Sequence, residues 1–265
     1  MDVNIYIASH KKFEQFPLKD YRVLQVGAEG KESLGYLRDN TGDNISYKNP
    51  NYCELTGLYW IWKNDKKSDV TGLVHYRRYF STAKFSSSSA YFLDGTEIGE
   101  ILRNYDIILP KREWLKETAW EEYYMVSGLE KDLKRVEKII GEVYPECMPA
   151  FCEYFYQNRS WLYNMMICRK ELFDEYCEWL FDILFRLETQ VDYKDYSDYQ
   201  KRIFGFMSER LLNVWVIYKN LKVKELRTVN TEMSLKERLR IWLRRRKNRM
   251  VFAARPEDRV KRSKV

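Results

Sequence analysis

Val70-Thr-Gly-Leu-Val-His-Tyr-Arg-Arg-Tyr-Phe80 is a short apolar run that ends abruptly in a histidine and two arginines. Val70 to Val74 reads as a strand, because a bounded apolar run of this length suits a strand covered on both faces. The strand runs straight into His75. In open α/β sheets, ligands bind in the crevice beyond the carboxyl ends of the strands. His75, Arg77 and Arg78 are therefore expected at the rim where chemistry takes place. A guanidinium is a planar fork suited to phosphate oxygens. Two of them beside an imidazole would neutralise a diphosphate and stabilise charge as it leaves. An ion-paired surface patch is the alternative reading, and spacing alone does not separate the two.

Working outward, Asn4 to Ala8 reads as a first strand that ends in Ser9-His10-Lys11, and Val23 to Val26 as a second closed by Gly27. Residues 28–50 are rich in Gly, Asn, Asp and Ser and read as a long loop, a length that is usually functional inside a compact domain. A helix starting near Pro50 carries Leu55, Leu58, Tyr59 and Trp62 on one face. Gly57 sits inside it at a cost of about 1 kcal/mol relative to Ala, which a close neighbour would explain. Ile98 to Leu102, residues 131–143, Phe173 to Leu187 and residues 200–218 read as helices, while Asp106 to Leu109 and Asn164 to Cys168 read as strands. Strands alternating with helices predict an α/β fold with a mostly parallel central sheet. The only two histidines, His10 and His75, each follow a predicted strand, so parallel strands would place both on one rim.

Composition excludes several classes. Hydrophobic residues at 45% and charged residues at 32% fit an ordinary globular chain. The 16% aromatic content, with 21 Tyr and 8 Trp, implies either an aromatic-rich core or surfaces that stack on sugars or bases. The net charge of +7 is misleading: residues 234–265 hold 13 Lys/Arg against 3 Asp/Glu, which leaves residues 1–233 at −3. The five cysteines form no Cys-x-x-Cys pair and fit free thiols in a reducing compartment. No signal peptide and no apolar run of about 18 residues is visible, so the expectation is a cytoplasmic protein. There is no Walker loop, no Gly-x-Gly-x-x-Gly and no Gly-x-Ser-x-Gly, which lowers the odds for kinase, dinucleotide and hydrolase chemistry.

Among the many carboxylates, Glu54 at the start of the aromatic helix and Glu209 just before Arg210 stand out. A carboxylate at a cleft removes the proton from an acceptor hydroxyl. An ion pair between Glu209 and an arginine is the structural alternative.

Several stretches resemble a known family. They are Arg38-Asp-Asn-Thr-Gly-Asp-Asn-Ile-Ser46, Asn51-Tyr-Cys-Glu-Leu-Thr-Gly-Leu-Tyr-Trp-Ile-Trp-Lys-Asn64, Gly72-Leu-Val-His-Tyr-Arg-Arg-Tyr-Phe80 and Arg202-Ile-Phe-Gly-Phe-Met-Ser-Glu-Arg-Leu-Leu-Asn-Val-Trp215. Asn164-Met-Met-Ile-Cys-Arg-Lys-Glu-Leu-Phe-Asp174 is similar to that family's Asn-Met-Phe-Ile strand and helix. The family is a group of bacterial capsular and exopolysaccharide biosynthesis glycosyltransferases, long catalogued as a domain of unknown function. Some members are associated with galactofuranose transfer. The resemblance covers roughly residues 2–230. It implies a GT-A-like single α/β domain, a UDP-sugar or similar donor, and a saccharide or lipid-linked acceptor.

One departure bears on the cofactor. Most enzymes of the GT-A class carry Asp-x-Asp at the end of a central strand to hold a divalent metal on the diphosphate. Here that strand ends in His75-Tyr-Arg-Arg. The expectation is that cationic side chains replace the metal, with Mn²⁺ or Mg²⁺ bound through His75 as the alternative.

The sequence therefore predicts a glycosyltransferase domain over residues 1–230 and a basic amphipathic helix and tail over residues 231–265. Ala8, Ser9 and His10 are expected to line the nucleotide pocket, with Asn44 and Ser46 closing over it. His75, Arg77 and Arg78 would face the diphosphate. Glu209 is the candidate base, since in an inverting reaction one carboxylate within reach of the acceptor hydroxyl suffices. Glu54 and Trp60 are candidate acceptor or sugar contacts, and Trp62 a further stacking or core residue. In the tail, Ser234-Leu-Lys-Glu237 has the capping-box pattern, and Leu235, Leu239, Trp242 and Leu243 line one face of a helix otherwise rich in Arg. Such a helix lies on an anionic membrane, here expected over residues 234–252 and on the inner face of the cell membrane. A disordered solubilising segment is the alternative reading of residues 253–265. Two rival functions stay open at this point: a membrane-associated, non-catalytic saccharide-binding or scaffold protein, and a nucleic-acid binder acting through the tail. The acidic body and the lack of a nucleic-acid motif disfavour the second.

Overall fold

The computed structural model describes residues 1–84 and 86–253, so residues 254–265 of the predicted tail lie outside the described residues. Strands β1 (Val3–Ser9), β2 (Tyr21–Gln25), β3 (Leu37–Arg38), β4 (Val70–His75), β5 (Arg78–Ser81), β6 (Ile107–Pro110), β9 (Met166–Arg169) and β10 (Val223–Asn230) form one sheet. Its order is β3-β2-β1-β4-β5-β10-β6-β9, and β9 also pairs with β4. Strands β7 (Glu113–Trp114) and β8 (Arg159–Ser160) make a separate small ribbon. The α-helices are α1 (Asn49–Tyr52), α2 (Leu55–Asn64), α3 (Gly95–Leu102), α4 (Ala119–Glu122), α5 (Glu130–Val143), α6 (Met148–Phe155), α7 (Lys170–Glu188), α8 (Ile203–Tyr218) and α9 (Leu235–Phe252).

The sheet is mixed, which corrects the mostly parallel expectation. Strands β1, β2, β3 and β4 are parallel neighbours, as are β6 and β10. The pairings β4–β5, β5–β10, β6–β9 and β4–β9 are antiparallel. Three strands account for the difference, the first being β9, which runs antiparallel to both β4 and β6. The chain reverses at Tyr76-Arg77, so that His75 pairs with Arg78 and β5 returns beside β4. Strand β10, which the sequence reading did not contain, inserts between β5 and β6. Gly72 permits the β4–β9 contact, because a Cβ there would lie 2.4 Å from the Met166 carbonyl oxygen.

Strand β1 is buried along its whole length, as a central strand covered on both faces must be. Tyr6 and Ala8 face a core shared with α2, α5, α6, α7 and α8, while Val3, Ile5 and Ile7 face a second core with Tyr79, Phe92 and Ile98. Gly57 has the predicted close neighbour: its Cβ would meet Val26 Cγ1 at 2.8 Å. Trp62 is a core residue, parallel to Phe181 with ring centroids 5.8 Å apart. No helix among the described residues is long and apolar enough to cross a membrane.

The register brings several chain ends to one rim. Strands β1 and β4 both finish there, with Ala8 beside His75. Antiparallel β9 starts there, with Met166 opposite Leu73, and β10 finishes there, with Asn230 opposite Arg78.

Candidate active site

Side chains alternate across a strand, and this alternation splits the His75–Phe80 run into two groups. His75 shares the face of Tyr6, Ala8 and Leu73, toward α2 and α8, and Arg78 is its cross-strand partner. Tyr76 lies on the opposite face, where His10 meets its ring edge-on at 5.5 Å. Arg77, at the tip, sits over Tyr76 and pairs with Glu232 at 3.7 Å. The two arginines therefore diverge.

The first group is the chemically dense one. Arg78 Nη1 lies 3.5 Å from His75 Nδ1, and the guanidinium stacks on the Tyr163 ring at 4.5 Å. Asn164 Nδ2 donates to Glu54 Oε1 at 2.8 Å and to the Gly205 carbonyl at 3.0 Å. Glu209 sits one helical turn beyond Gly205 on α8 and accepts from Arg210 at 3.2 Å. Arg210, buried, also pairs with Glu122 and donates to Ser127 Oγ at 3.0 Å. Asn164 Oδ1 is covered by protein without a hydrogen-bond partner, and the His75 ring is buried against the Tyr163 backbone.

Backbone geometry marks the same place. Among the described residues, four non-glycine residues have positive φ, and Cys53 (53°), Tyr163 (85°) and Asn164 (48°) are three of them. Each such residue costs about 1–3 kcal/mol, and such strain clusters at functional sites. At Cys53 it breaks α1 from α2 and aims Glu54 into the cluster, held by Asn49 Nδ2 on the Cys53 carbonyl at 2.7 Å. At Tyr163-Asn164 it turns the chain into β9. Asn213 on α8 clamps that turn, accepting from Trp161 N at 2.8 Å and donating to Trp161 O at 3.0 Å.

The electrostatics follow from burial. Glu209 is pushed up from 4.5 to about 7, first by desolvation and further by the Glu54 and Glu122 charges, with Arg210 opposing. A carboxylate tuned to that value suits proton abstraction at neutral pH. His75 is pulled down from 6.5 to about 4, chiefly by burial, with Arg78 and Arg77 adding and Glu54 opposing. At neutral pH it is an uncharged imidazole, a hydrogen-bonding group and not a third cation.

The remaining predicted residues have these positions. Ala8 is a buried β-ladder residue beside His75. Ser9 is buried, with its hydroxyl given to the Lys11 carbonyl at 2.6 Å. His10 is exposed and lies near Lys11, Lys31 and Arg77; partial burial and those charges pull its pKa down. Asn44 is spent inside the loop, donating to the Gly42 carbonyl at 2.9 Å and accepting from Ser46 N at 3.1 Å. Ser46 is buried and donates to Asp39. Trp60 is not brought to the Glu209 cluster. Its indole N–H donates to the Thr41 carbonyl at 2.9 Å, and it lines a shallow cleft with Asp2, Asn4 and Asp65, where β1 begins.

The sequence reading missed Tyr163, the Asn164 side chain that joins Glu54 to Gly205, Asn213 and Asp39. Asp39 is fully buried and organises the loop predicted over residues 28–50. It accepts from Gly27 N at 2.7 Å, Ala28 N at 2.9 Å, Thr56 Oγ1 at 2.6 Å and Ser46 Oγ. Asp39→Ala strands these donors, each costing about 1–3 kcal/mol when left unpaired. The expected result in urea unfolding is a loss of at least about 3 kcal/mol; a loss below about 1 kcal/mol would deny the hub its role.

Among the described residues no three His, Cys, Asp or Glu side chains are grouped as they would be around a metal ion. Glu54 is engaged by Asn164 and Glu209 by Arg210.

Residues 4–220 match a family described as "Domain of unknown function (DUF4422)". Among solved structures, the chain is similar to the apo form of a bifunctional glycosyltransferase, WbbM, with a TM-score of 0.82 and 32% identity over 88% of this chain. The match covers 46% of that protein, so this chain spans about half the length of the structure it resembles. No curated protein matches it.

Proposed function

The chain belongs to the DUF4422 family, and we propose that it is a glycosyltransferase that moves a sugar from a nucleotide-diphosphate donor to a hydroxyl of a saccharide or lipid-linked acceptor in surface polysaccharide synthesis. The observation that carries this reading is the convergence of Glu209, raised to about 7, with Glu54, His75, Arg78 and Asn164 at the carboxyl rim of the sheet. In the reaction, the acceptor oxygen bonds to the anomeric carbon and the bond to the donor phosphate breaks. Glu209 takes the hydroxyl proton, and Arg78 meets the charge that grows on the departing diphosphate. Neutral His75 contacts Arg78 through Nδ1 and helps to orient that guanidinium. Ala8, Ser9 and His10 with Arg77 form the nucleotide side. Arg78 supplies the charge neutralisation that a metal supplies elsewhere. A hexose, galactofuranose included, is the sugar class proposed.

The acceptor side has an apolar lip. Tyr123–Ser127 forms a π-helical turn, a feature frequent at functional sites. It exposes Tyr124, Met125 and Val126 while Arg210 holds its last residue beside Glu209. This supports a lipid-linked acceptor.

Helix α9 supports a location on the inner face of the cell membrane. The Ser234–Glu237 capping box is formed, and Leu235, Leu239, Trp242 and Leu243 are exposed. Each basic residue near an anionic surface is worth about 1 kcal/mol. Reversing Arg240 and Arg246 to Glu is therefore expected to cut binding to phosphatidylglycerol vesicles by roughly a hundredfold or more in a sedimentation assay. Unchanged binding would remove the membrane role.

A panel of UDP-, GDP- and other nucleotide sugars tests the function itself. One donor class is expected to raise the Tm and to be consumed when acceptor is added. No shift with any donor would leave the non-catalytic scaffold as the better reading.

A further inference from the structure

The basic helix α9 touches the body along a narrow stripe. Arg238, Ile241, Arg245, Asn248 and Phe252 are the partly covered positions, spaced as one helix face. Its docking partner is the β7–β8 ribbon. Asn248 Nδ2 donates to the Trp114 carbonyl at 3.0 Å, and Arg245 pairs with Glu113. The Glu113 side chain is only 11% exposed, so it is a nearly buried carboxylate whose partners are Arg245 and, at 3.9 Å, Arg244.

Glu113 does a second thing. Its Oε1, the atom paired with Arg245, accepts the Tyr163 hydroxyl proton at 3.2 Å, and Arg245 Nη2 lies 3.5 Å from the same hydroxyl. Tyr163 is the strained residue whose ring carries the Arg78 guanidinium. An unbroken chain of contacts therefore runs from the tail helix through Arg245, Glu113 and Tyr163 to Arg78 and His75.

We propose that Arg245 and Glu113 are positioning residues of the active site: the docked tail helix fixes Tyr163 as the platform beneath Arg78. This rests on the reading of Arg78 as the donor-phosphate group. A strained backbone persists only where its surroundings over-determine it. A nearly buried carboxylate that loses its hydrogen-bonded arginine keeps only the more distant Arg244 at 3.9 Å and must move or take on water. Without Arg245, Glu113 turns away, the Tyr163 ring loses its fixed hydroxyl, and Arg78 loses its platform. The helix thus serves the site with its inner stripe while its Leu239, Trp242 and Leu243 face remains outward.

The test compares full-length Arg245→Ala, Arg245→Lys and, as a control on the same helix, Lys247→Ala. Two readouts are used: steady-state kinetics with the donor varied, and hydrogen–deuterium exchange of residues 159–166. Arg245→Ala is expected to lower kcat/KM for the donor roughly ten- to hundredfold and to speed exchange in 159–166. Arg245→Lys is expected to restore part of both, and Lys247→Ala to match the wild type. Wild-type kcat/KM and exchange in Arg245→Ala would overturn the proposal. If the wild-type protein itself uses no donor, the glycosyltransferase reading fails, and the exchange measurement still decides whether the tail helix fixes Tyr163.

Discussion

Glu209→Gln is expected to reduce transfer by about 10²–10⁴-fold, the usual worth of a positioned general base, with the fold retained. Position 209 lies on α8, a helix buried along most of its length, and Gln keeps the size and an acceptor for Arg210. The variant removes only the group that accepts the proton. Wild-type activity should rise with pH through about 7, as the Glu209 carboxylate forms. Glu54→Gln sharpens the test, because it keeps a carbonyl oxygen for Asn164 but deletes a charge that holds Glu209 up. Its pH–rate limb should move to lower pH. Stability has a definite sign as well. The folded pKa of Glu209 lies above its ordinary 4.5, so the folded state holds the extra proton between that value and about 7. Its contribution is present below 4.5 and is lost as pH rises through about 7. Glu209→Gln should therefore gain Tm relative to the wild type as pH is raised from 5 to 8. A constant difference would mean that the carboxyl is not raised.

Arg78→Ala carries the second large effect, a loss of about 10²–10³-fold in kcat/KM for the donor, comparable to deleting one donor from a charge-stabilising site. Arg78→Lys should recover little, because an ammonium neither stacks flat on Tyr163 nor presents a fork to phosphate. Arg77→Ala should cost much less. Its side chain is 41% exposed and its contacts are with Glu232 and Tyr76, away from His75. Sequence alone treats these adjacent arginines as equivalent; the hairpin does not. Steady-state kinetics on the three variants check the ranking, and an Arg77→Ala defect equal to that of Arg78→Ala would place the diphosphate on the other side of the tip.

What the sequence carried, and what it withheld, has physical reasons. The Val70–His75 strand was legible because its apolar run is bounded and its polar end abrupt. The return at Tyr76-Arg77 was not, since two-residue hairpins usually announce themselves with Gly or Asn at positive φ, and neither residue here has positive φ. Strand β10 has only two fully buried positions, Leu226 and Val229, so it offers no apolar run to read. Glu209 and Glu54 were legible as carboxylates near helix features, but their proximity depends on the Cys53 kink and on α8 lying beside α1. Asn164 read as the start of a strand; its role comes from a left-handed turn at Tyr163-Asn164, a conformation that Asn tolerates but a bulky Tyr rarely adopts. Trp60 is close to Glu54 in sequence but not in space: it lies in the cleft with Asp2, Asn4 and Asp65 where β1 begins, because one helix reaches from one rim of a sheet toward the other.

The most direct measurement is release of nucleoside diphosphate by wild type and Glu209→Gln, followed over pH 5 to 9 with the donor that shifts the Tm and a lipid-linked or saccharide acceptor. The account predicts acceptor-dependent release that rises with pH through about 7 in the wild type and falls to about 1% or less of it in the variant. Equal release by the two proteins, or no acceptor-dependent release from any donor, would contradict it.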